Sequence, residues 1–164
     1  MNGDKTGSER FFLGCLLIIG LTLAVAADDW LTDPQNKIKI WNPQPRLSAE
    51  WSGGAKDGCA DGLGVMKWFE DGVLKERFEG SYAKGRPEGR CRFEVYDSKG
   101  AVTLSGEGDF KDGAMSGKGK IVGKDGEKYE GNFRFGVFQG EGVQTLPDGK
   151  VLKGRFENGK FVGE

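Results

Sequence analysis

Histidine is absent from the 164-residue chain. Imidazole is the commonest general base and the commonest metal ligand among side chains, so Ser-His-Asp triads, Cys-His dyads and imidazole zinc sites are excluded. Neither sign of charge is in excess: 24 Lys+Arg stand against 25 Asp+Glu, a formal net charge of −1. No global basic field exists to draw in nucleic acid or an anionic membrane surface. Aliphatic residues are scarce as well. Outside one apolar run near the N-terminus, Leu, Ile, Val and Phe make up about 20% of residues 28–164, at the border where chains stop burying enough apolar area to fold. A large globular core is therefore not available, and the chain must fold by packing short units against one another. Glycine is what it has in abundance: 29 residues, about 18% against a usual share of about 7%. No strict Gly-x-y triplet accompanies this excess, which excludes collagen.

The apolar run is Phe11 to Ala27, FFLGCLLIIGLTLAVAA, uncharged, preceded by Lys5 and Arg10 and closing on Ala24-Val25-Ala26. A basic start, an apolar stretch and a small-x-small ending are the layout of a secretory signal. Its 17 residues also sit at the lower edge of what spans a bilayer as a helix, so residues 1–27 read as a cleaved signal peptide or a retained signal anchor. Both outcomes place everything after residue 27 on the non-cytoplasmic side, because Lys5 and Arg10 hold the N-terminus inside. The protein is expected to be exported: secreted or periplasmic if cleaved, otherwise membrane-anchored through residues 11–27. Cys15 lies too deep in the apolar run for a lipoprotein signal and reads as a membrane-embedded residue.

Beyond the run the glycines are periodic. The frame Gly-x-aromatic-x-x-Gly-x-x-x-Gly-x-Gly starts at Gly131, with Phe133, Gly136, Gly140 and Gly142, and returns at Gly154 with Phe156 and Gly159. It is also present from Gly108 with Phe110, Gly113, Gly117 and Gly119, and in wider form from Gly80 and Gly53. Intervals between the leading glycines are 27, 28, 23 and 23 residues, which makes four units and a terminal half-unit. Each unit reads as a β-hairpin. Asp57-Gly58, Asp112-Gly113 and Asn158-Gly159 supply the positive φ of tight turns, and Asp71-Gly72, Asp125-Gly126 and Asp148-Gly149 do the same at the end of the second strand. Two residues beyond the last frame glycine come Met66, Phe93, Ile121 and Gln144, so one strand face is largely apolar. A column of mid-strand glycines leaves room for a ring to lie flat against the backbone. The fold class expected from the pattern is all-β, one hairpin per unit. Residues 28–50, with three of the five prolines, read as a linker and one cap strand around Ile38 to Trp41.

On these residues the chain resembles the MORN (membrane occupation and recognition nexus) repeat family. Tyr129, Gly131, Phe133, Gly136, Gly140, Gly142 and Gly149 match its Tyr-x-Gly-x-aromatic-x-x-Gly-x-x-x-Gly-x-Gly pattern and closing glycine position for position. The unit from Gly106 lacks the leading tyrosine, Leu152 replaces it in the last unit, and the first two units are longer. The resemblance covers residues 51–164 and implies an all-β, elongated single-layer stack of antiparallel hairpins without catalytic machinery, serving as an interaction or scaffolding module, sometimes near membranes.

Other motifs dissolve in the repeat. Gly154 to Lys160 satisfies GxxxxGK, but Phe161 stands where a phosphate loop needs a hydroxyl. The Asp-Gly turns bring one or two carboxylates each, where calcium wants six or more oxygens. From residue 101 onward acids and bases are ten each, which argues against lipid headgroups as ligand. No cofactor, metal or nucleic acid is implied. A non-catalytic module that binds another protein is the leading reading, with a membrane-anchored or lipid-associated protein and a hydrolase using Glu130 and Glu141 as alternatives. The register of Tyr129, Phe110, Phe133 and Phe156 makes them the candidate binding residues on a sheet surface, packing between units being the other role open to them. The C-terminal edge, with Leu152, Phe156, Phe161 and Val162, is expected to support self-association. Cys59 and Cys91, in successive units, leave two outcomes: a disulfide in an oxidising compartment, or two thiols acting as small packing residues.

Overall fold

The computed structural model describes residues 30–41 and 47–163; residues 1–27, expected to be a signal or anchor, and Glu164 lie outside the described residues. Among those described, no helix is long and apolar enough to cross a membrane. Thirteen strands join in one sheet. They are β1 (Trp30–Thr32), β2 (Lys39–Trp41), β3 (Ser48–Trp51), β4 (Gly54–Lys56), β5 (Cys59–Glu70), β6 (Val73–Ala83), β7 (Arg86–Tyr96), β8 (Val102–Lys111), β9 (Ala114–Gly123), β10 (Lys128–Arg134), β11 (Val137–Thr145), β12 (Val151–Glu157) and β13 (Lys160–Gly163). From β5 onward every strand pairs antiparallel with the next in sequence. The hairpins of the repeat are β3/β4–β5, β6–β7, β8–β9, β10–β11 and β12–β13, the first having its leading strand broken at Ser52-Gly53.

The tip of each hairpin is a two-residue turn with both residues at positive φ: Asp57-Gly58, Lys84-Gly85, Asp112-Gly113, Phe135-Gly136 and Asn158-Gly159 have φ of 50–52° followed by 77–89°. Such turns match the right-handed twist of the flanking strands. They also tie each unit to the one before. The amide N–H of Gly85, Gly113, Gly136 and Gly159 donates to the carbonyl of Ala60, Pro87, Met115 and Phe138, at 2.9, 3.1, 2.8 and 3.0 Å. At the opposite edge, Asp71-Gly72 has the same two-residue geometry, whereas Asp125-Gly126 and Asp148-Gly149 depart from the expectation. There only the glycine has positive φ, in three-residue loops whose aspartate caps the backbone: Asp125 Oδ1 accepts from Glu127 N–H and Asp148 Oδ1 from Lys150 N–H. The 27- and 28-residue units keep the frame and spend their extra residues on longer strands toward this edge, 10–12 residues in β5 to β8 against 7 in β10 and β12.

Register aligns the glycines in one row across eight strands: Gly64, Gly80, Cys91, Gly108, Gly119, Gly131, Gly142 and Gly154. Directly opposed residues share a face, and this row belongs to the buried one. On one side of it run Met66, Phe78, Phe93, Ile121, Tyr129 and Gln144; on the other lie Tyr82, Phe110, Met115, Phe133, Phe138 and Phe156, all of them buried. Side chains from both flanks lean over the glycines. A Cβ on Gly142 would stand 2.5 Å from Tyr129 Oη, one on Gly108 would stand 2.5 Å from Met115 Cε, and one on Gly64 would run into the Trp51 ring. Cys91 fills the same role, its Sγ lying 2.7 Å from where a Cβ on Gly80 would be.

On a flat strand Tyr129 and Phe133 would be about 13 Å apart at Cα, yet their ring centroids are 5.1 Å apart. The strand bends at Gly131, and irregularities in register follow the glycine row at Gly80/Tyr82, Gly108/Phe110 and Gly131/Phe133. A single layer thereby folds its aromatic face onto itself. Tyr129 stacks on Phe138 at 3.6 Å and meets Phe156 edge-on at 5.1 Å, while Phe78, Phe93 and Phe110 form a second cluster.

Two short strands precede the repeat. β1 and β2 pair with each other, and β2 touches β5 through Lys39 and Cys59. Trp41 donates its N–H to Gly85 O, lies under the Arg86 guanidinium at 4.9 Å and closes over Gly113. Asp33 pins this hairpin to β3, its carboxylate accepting from the N–H groups of Trp51, Gln35 and Asn36. Burial alone would raise the Asp33 pKa, but those bonds together bring it below the usual range.

Gly142→Ala is expected to cost about 1–3 kcal/mol and lower Tm by roughly 3–10 °C, because its Cβ collides with the Tyr129 hydroxyl. In a Tyr129→Ala background the further loss from Gly142→Ala should shrink toward zero, which thermal melts of the single and double variants measure.

Candidate functional site

Strand alternation sends every second side chain to the opposite face, and there the residues are charged. One cross-strand row reads Val65, Glu79, Arg92, Glu107, Lys120, Glu130, Val143 and Lys153; the next reads Lys67, Arg77, Glu94, Ser105, Val122, Lys128, Thr145 and Val151. Alternating signs in the first row suit a solvated sheet, since opposite charges directly across strands attract. Ion pairs form in the upstream part: Arg77 with Glu79 at 2.8 Å, Arg90 with Glu107 at 3.3 Å and Asp109 at 3.8 Å, and Arg92 with Glu107 at 3.6 Å. Exposed pairs of this kind contribute about 0–1 kcal/mol each and are open to exchange with a partner. Over β7 to β12 this face holds a shallow depression of about 950 Å³ lined by Lys118, Lys120, Lys128, Glu130, Glu141, Val143 and Lys153, among others. Farther upstream a second depression of about 540 Å³ lies between Leu63, Val65, Glu79, Arg90 and Arg92.

Tyr129, Phe110, Phe133 and Phe156 are on the other face. Their fractional exposures are 0, 3, 4 and 0%, so the expectation that they form a binding surface is corrected: their rings are the packing between units. The tyrosine hydroxyl reaches over Gly131 to donate to Asn132 O at 3.0 Å. Burial pushes its pKa up to about 12, in keeping with a phenol held neutral inside the sheet.

Glu130 and Glu141 sit on the polar face of adjacent strands, both exposed, with Glu130 opposite Val143 and Glu141 opposite Arg155. Neither is enclosed as a general acid would be. Among the described residues no three of His, Cys, Asp and Glu converge as metal ligands.

The cysteines are free, and the expected alternative of a bridge is corrected by register. Cys91 pairs across with Gly80, which pairs with Gly64, whereas Cys59 lies five residues before Gly64 on β5. That offset is about 16 Å along the strands and about 10 Å across them, far beyond the reach of a disulfide. Burial raises the Cys91 thiol to about 11, so it is a packing group rather than a reactive one.

Two features escape the sequence pattern. Phe135 occupies the first position of a turn at φ 50°, where its counterparts are Asp112 and Asn158, and its ring is 56% exposed. The second is a buried polar pair behind the face: Gln144 Nε2 donates to Glu127 Oε1 at 2.6 Å, with both residues under 5% exposed. The polar Gln144 in an otherwise apolar row was the available signal for it. Burial, offset in part by Gln144 and reinforced by nearby Asp125, raises the Glu127 pKa to about 7.

The MORN repeat family model matches residues 78–94, 107–128 and 129–151. These cover the second strand pair from Phe78 to Glu94, the third from Glu107 onward and the fourth, and the chain is a MORN repeat protein. MORN repeats are typically protein- or membrane-interaction modules and are generally non-catalytic. No curated protein matches the chain.

A carboxyl whose pKa is raised on folding binds its proton more tightly in the native state, so its contribution falls as pH rises from its unfolded value near 4.5 to about 7. Stability is expected to drop by about 2–3 kcal/mol across that window and to level off above it. Glu127→Gln should flatten the profile between pH 4.5 and 7, which urea denaturation at stepped pH measures.

Proposed function

We propose that this chain is a non-catalytic interaction module that holds a protein partner on the polar face of its sheet, on the far side of the membrane across which residues 11–27 direct it. One observation carries the reading of the face: the bend at the glycine row consumes the aromatic side in packing, which leaves a broad charged surface with shallow depressions as the free side of the molecule. Among the described residues these depressions are open and gather no metal-ligating cluster, which suits an extended protein contact better than a small substrate. Export rests on the charge and length pattern of Phe11 to Ala27, with Ala24-Val25-Ala26 as the cleavage motif.

Photo-cross-linking side chains placed singly at Lys120, Glu130 and Arg92 should each capture the same partner in the native compartment. Positions at the sheet edges, Lys84 and Asp148, should capture it at least fivefold less. Capture confined to the edges would overturn the assignment of the face. N-terminal mass spectrometry of the recovered protein is expected to begin just after Ala26 or Ala27; an intact Met1 would make the segment a retained anchor.

A further inference from the structure

The polar face is not uniform along the stack. Its upstream arginines are engaged by neighbouring carboxylates, but Lys118 and Lys120 on β9, Lys128 on β10 and Lys153 on β12 form no ion pair among the described residues, and all four are exposed. Glu130 and Glu141 stand among them, which leaves this part of the face two positive charges in excess on a chain whose formal charge is −1. Valines alternate with the lysines: Val143 neighbours Lys153 across the strands, and Val151, 58% exposed, is two residues from it on the same face. The depression of about 950 Å³ is lined by the four lysines, both glutamates and Val143.

We propose that this surface docks an extended acidic protein segment, with carboxylates against Lys118, Lys120, Lys128 and Lys153 and apolar side chains against Val143 and Val151. The proposal rests on the polar face being the interaction face and assigns the chemistry of its occupant. From β9 to β12 is three strand spacings, about 14 Å, which five residues of extended chain cross at about 3.3 Å each. A peptide can set its carboxylates over the lysines and its neutral residues over Glu130 and Glu141. A bilayer cannot, because a flat, uniformly anionic surface meets those two glutamates as well, and headgroup binding gains only about 1 kcal/mol per cation.

The test uses the full chain and a fluorescent twelve-residue peptide, Glu-Val-Glu-Ser repeated three times, beside its counterpart with lysine for glutamate and vesicles containing phosphatidylserine. The acidic peptide is expected to bind, to weaken about tenfold between 50 and 300 mM salt, and to weaken at least tenfold again with Lys120→Glu, Lys128→Glu and Lys153→Glu combined. These side chains are exposed, and circular dichroism melts establish that the variant folds. Equal binding of the lysine peptide, indifference to the triple substitution, or binding of vesicles without the acidic peptide would each overturn the proposal. If the acidic peptide fails while cross-links from Lys120 to a native partner persist, only the acidic occupant is wrong; if both fail, the face itself is wrong.

Discussion

A side chain lying against bare backbone is the contact on which the rest of this molecule depends. A single-layer sheet has two faces and no second layer to cover either, and a chain this poor in aliphatic residues has little to bury. The row from Gly64 to Gly154 resolves the difficulty by removing the Cβ at one level of every strand but the one carrying Cys91. Rings and thioethers from the two flanking rows then close over the gap, as Tyr129 does above Gly131 and Gly142 and Met115 above Gly108 and Gly119. The strand has to bend there for the flanks to meet, and bulges next to the row supply the bend. Few side chains suffice, because each touches two strands and both arms of the bend.

The same contact decides where chemistry is free to happen. With the aromatic face closed, recognition falls to the alternate residues, whose arginines are engaged by carboxylates while Lys118, Lys120, Lys128 and Lys153 form no ion pair among the described residues. The turn N–H to carbonyl bonds at Gly85, Gly113, Gly136 and Gly159 repeat with the units and hold successive hairpins in register, so the face keeps a regular spacing of about one strand every 4.8 Å. Glu127 and Gln144 place one buried polar contact behind the part of the face that carries Lys128, linking the proton affinity of the interior to the stability of those strands.

Much of this was legible in the sequence, because glycine spacing follows from one steric requirement and Asp-Gly or Asn-Gly from another. The frame, the hairpins and the buried row through Met66, Phe93, Ile121 and Gln144 all follow from those two. The direction of Tyr129 does not. A phenol in register with phenylalanines reads equally well as surface or core, and only the Asn132 carbonyl waiting beyond Gly131 settles it. Cys59 and Cys91 show a second gap: counting repeats measures distance across a sheet but not position along its strands. The lysine patch was hidden for a third reason. Ten acids and ten bases after residue 100 cancel in the sum, and only alternation between faces separates them.

Hydroxyl-radical footprinting of the folded chain tests the central claim most directly, since phenylalanine and tyrosine rings react according to their exposure. The ring-over-glycine account predicts that Tyr129, Phe133, Phe138 and Phe156 are protected at least tenfold relative to their rates in the unfolded chain, while Phe135, on a turn between two of them, reacts nearly as fast as when unfolded. Modification of Tyr129 or Phe133 at a rate like that of Phe135 would contradict it, and with it the assignment of the two faces.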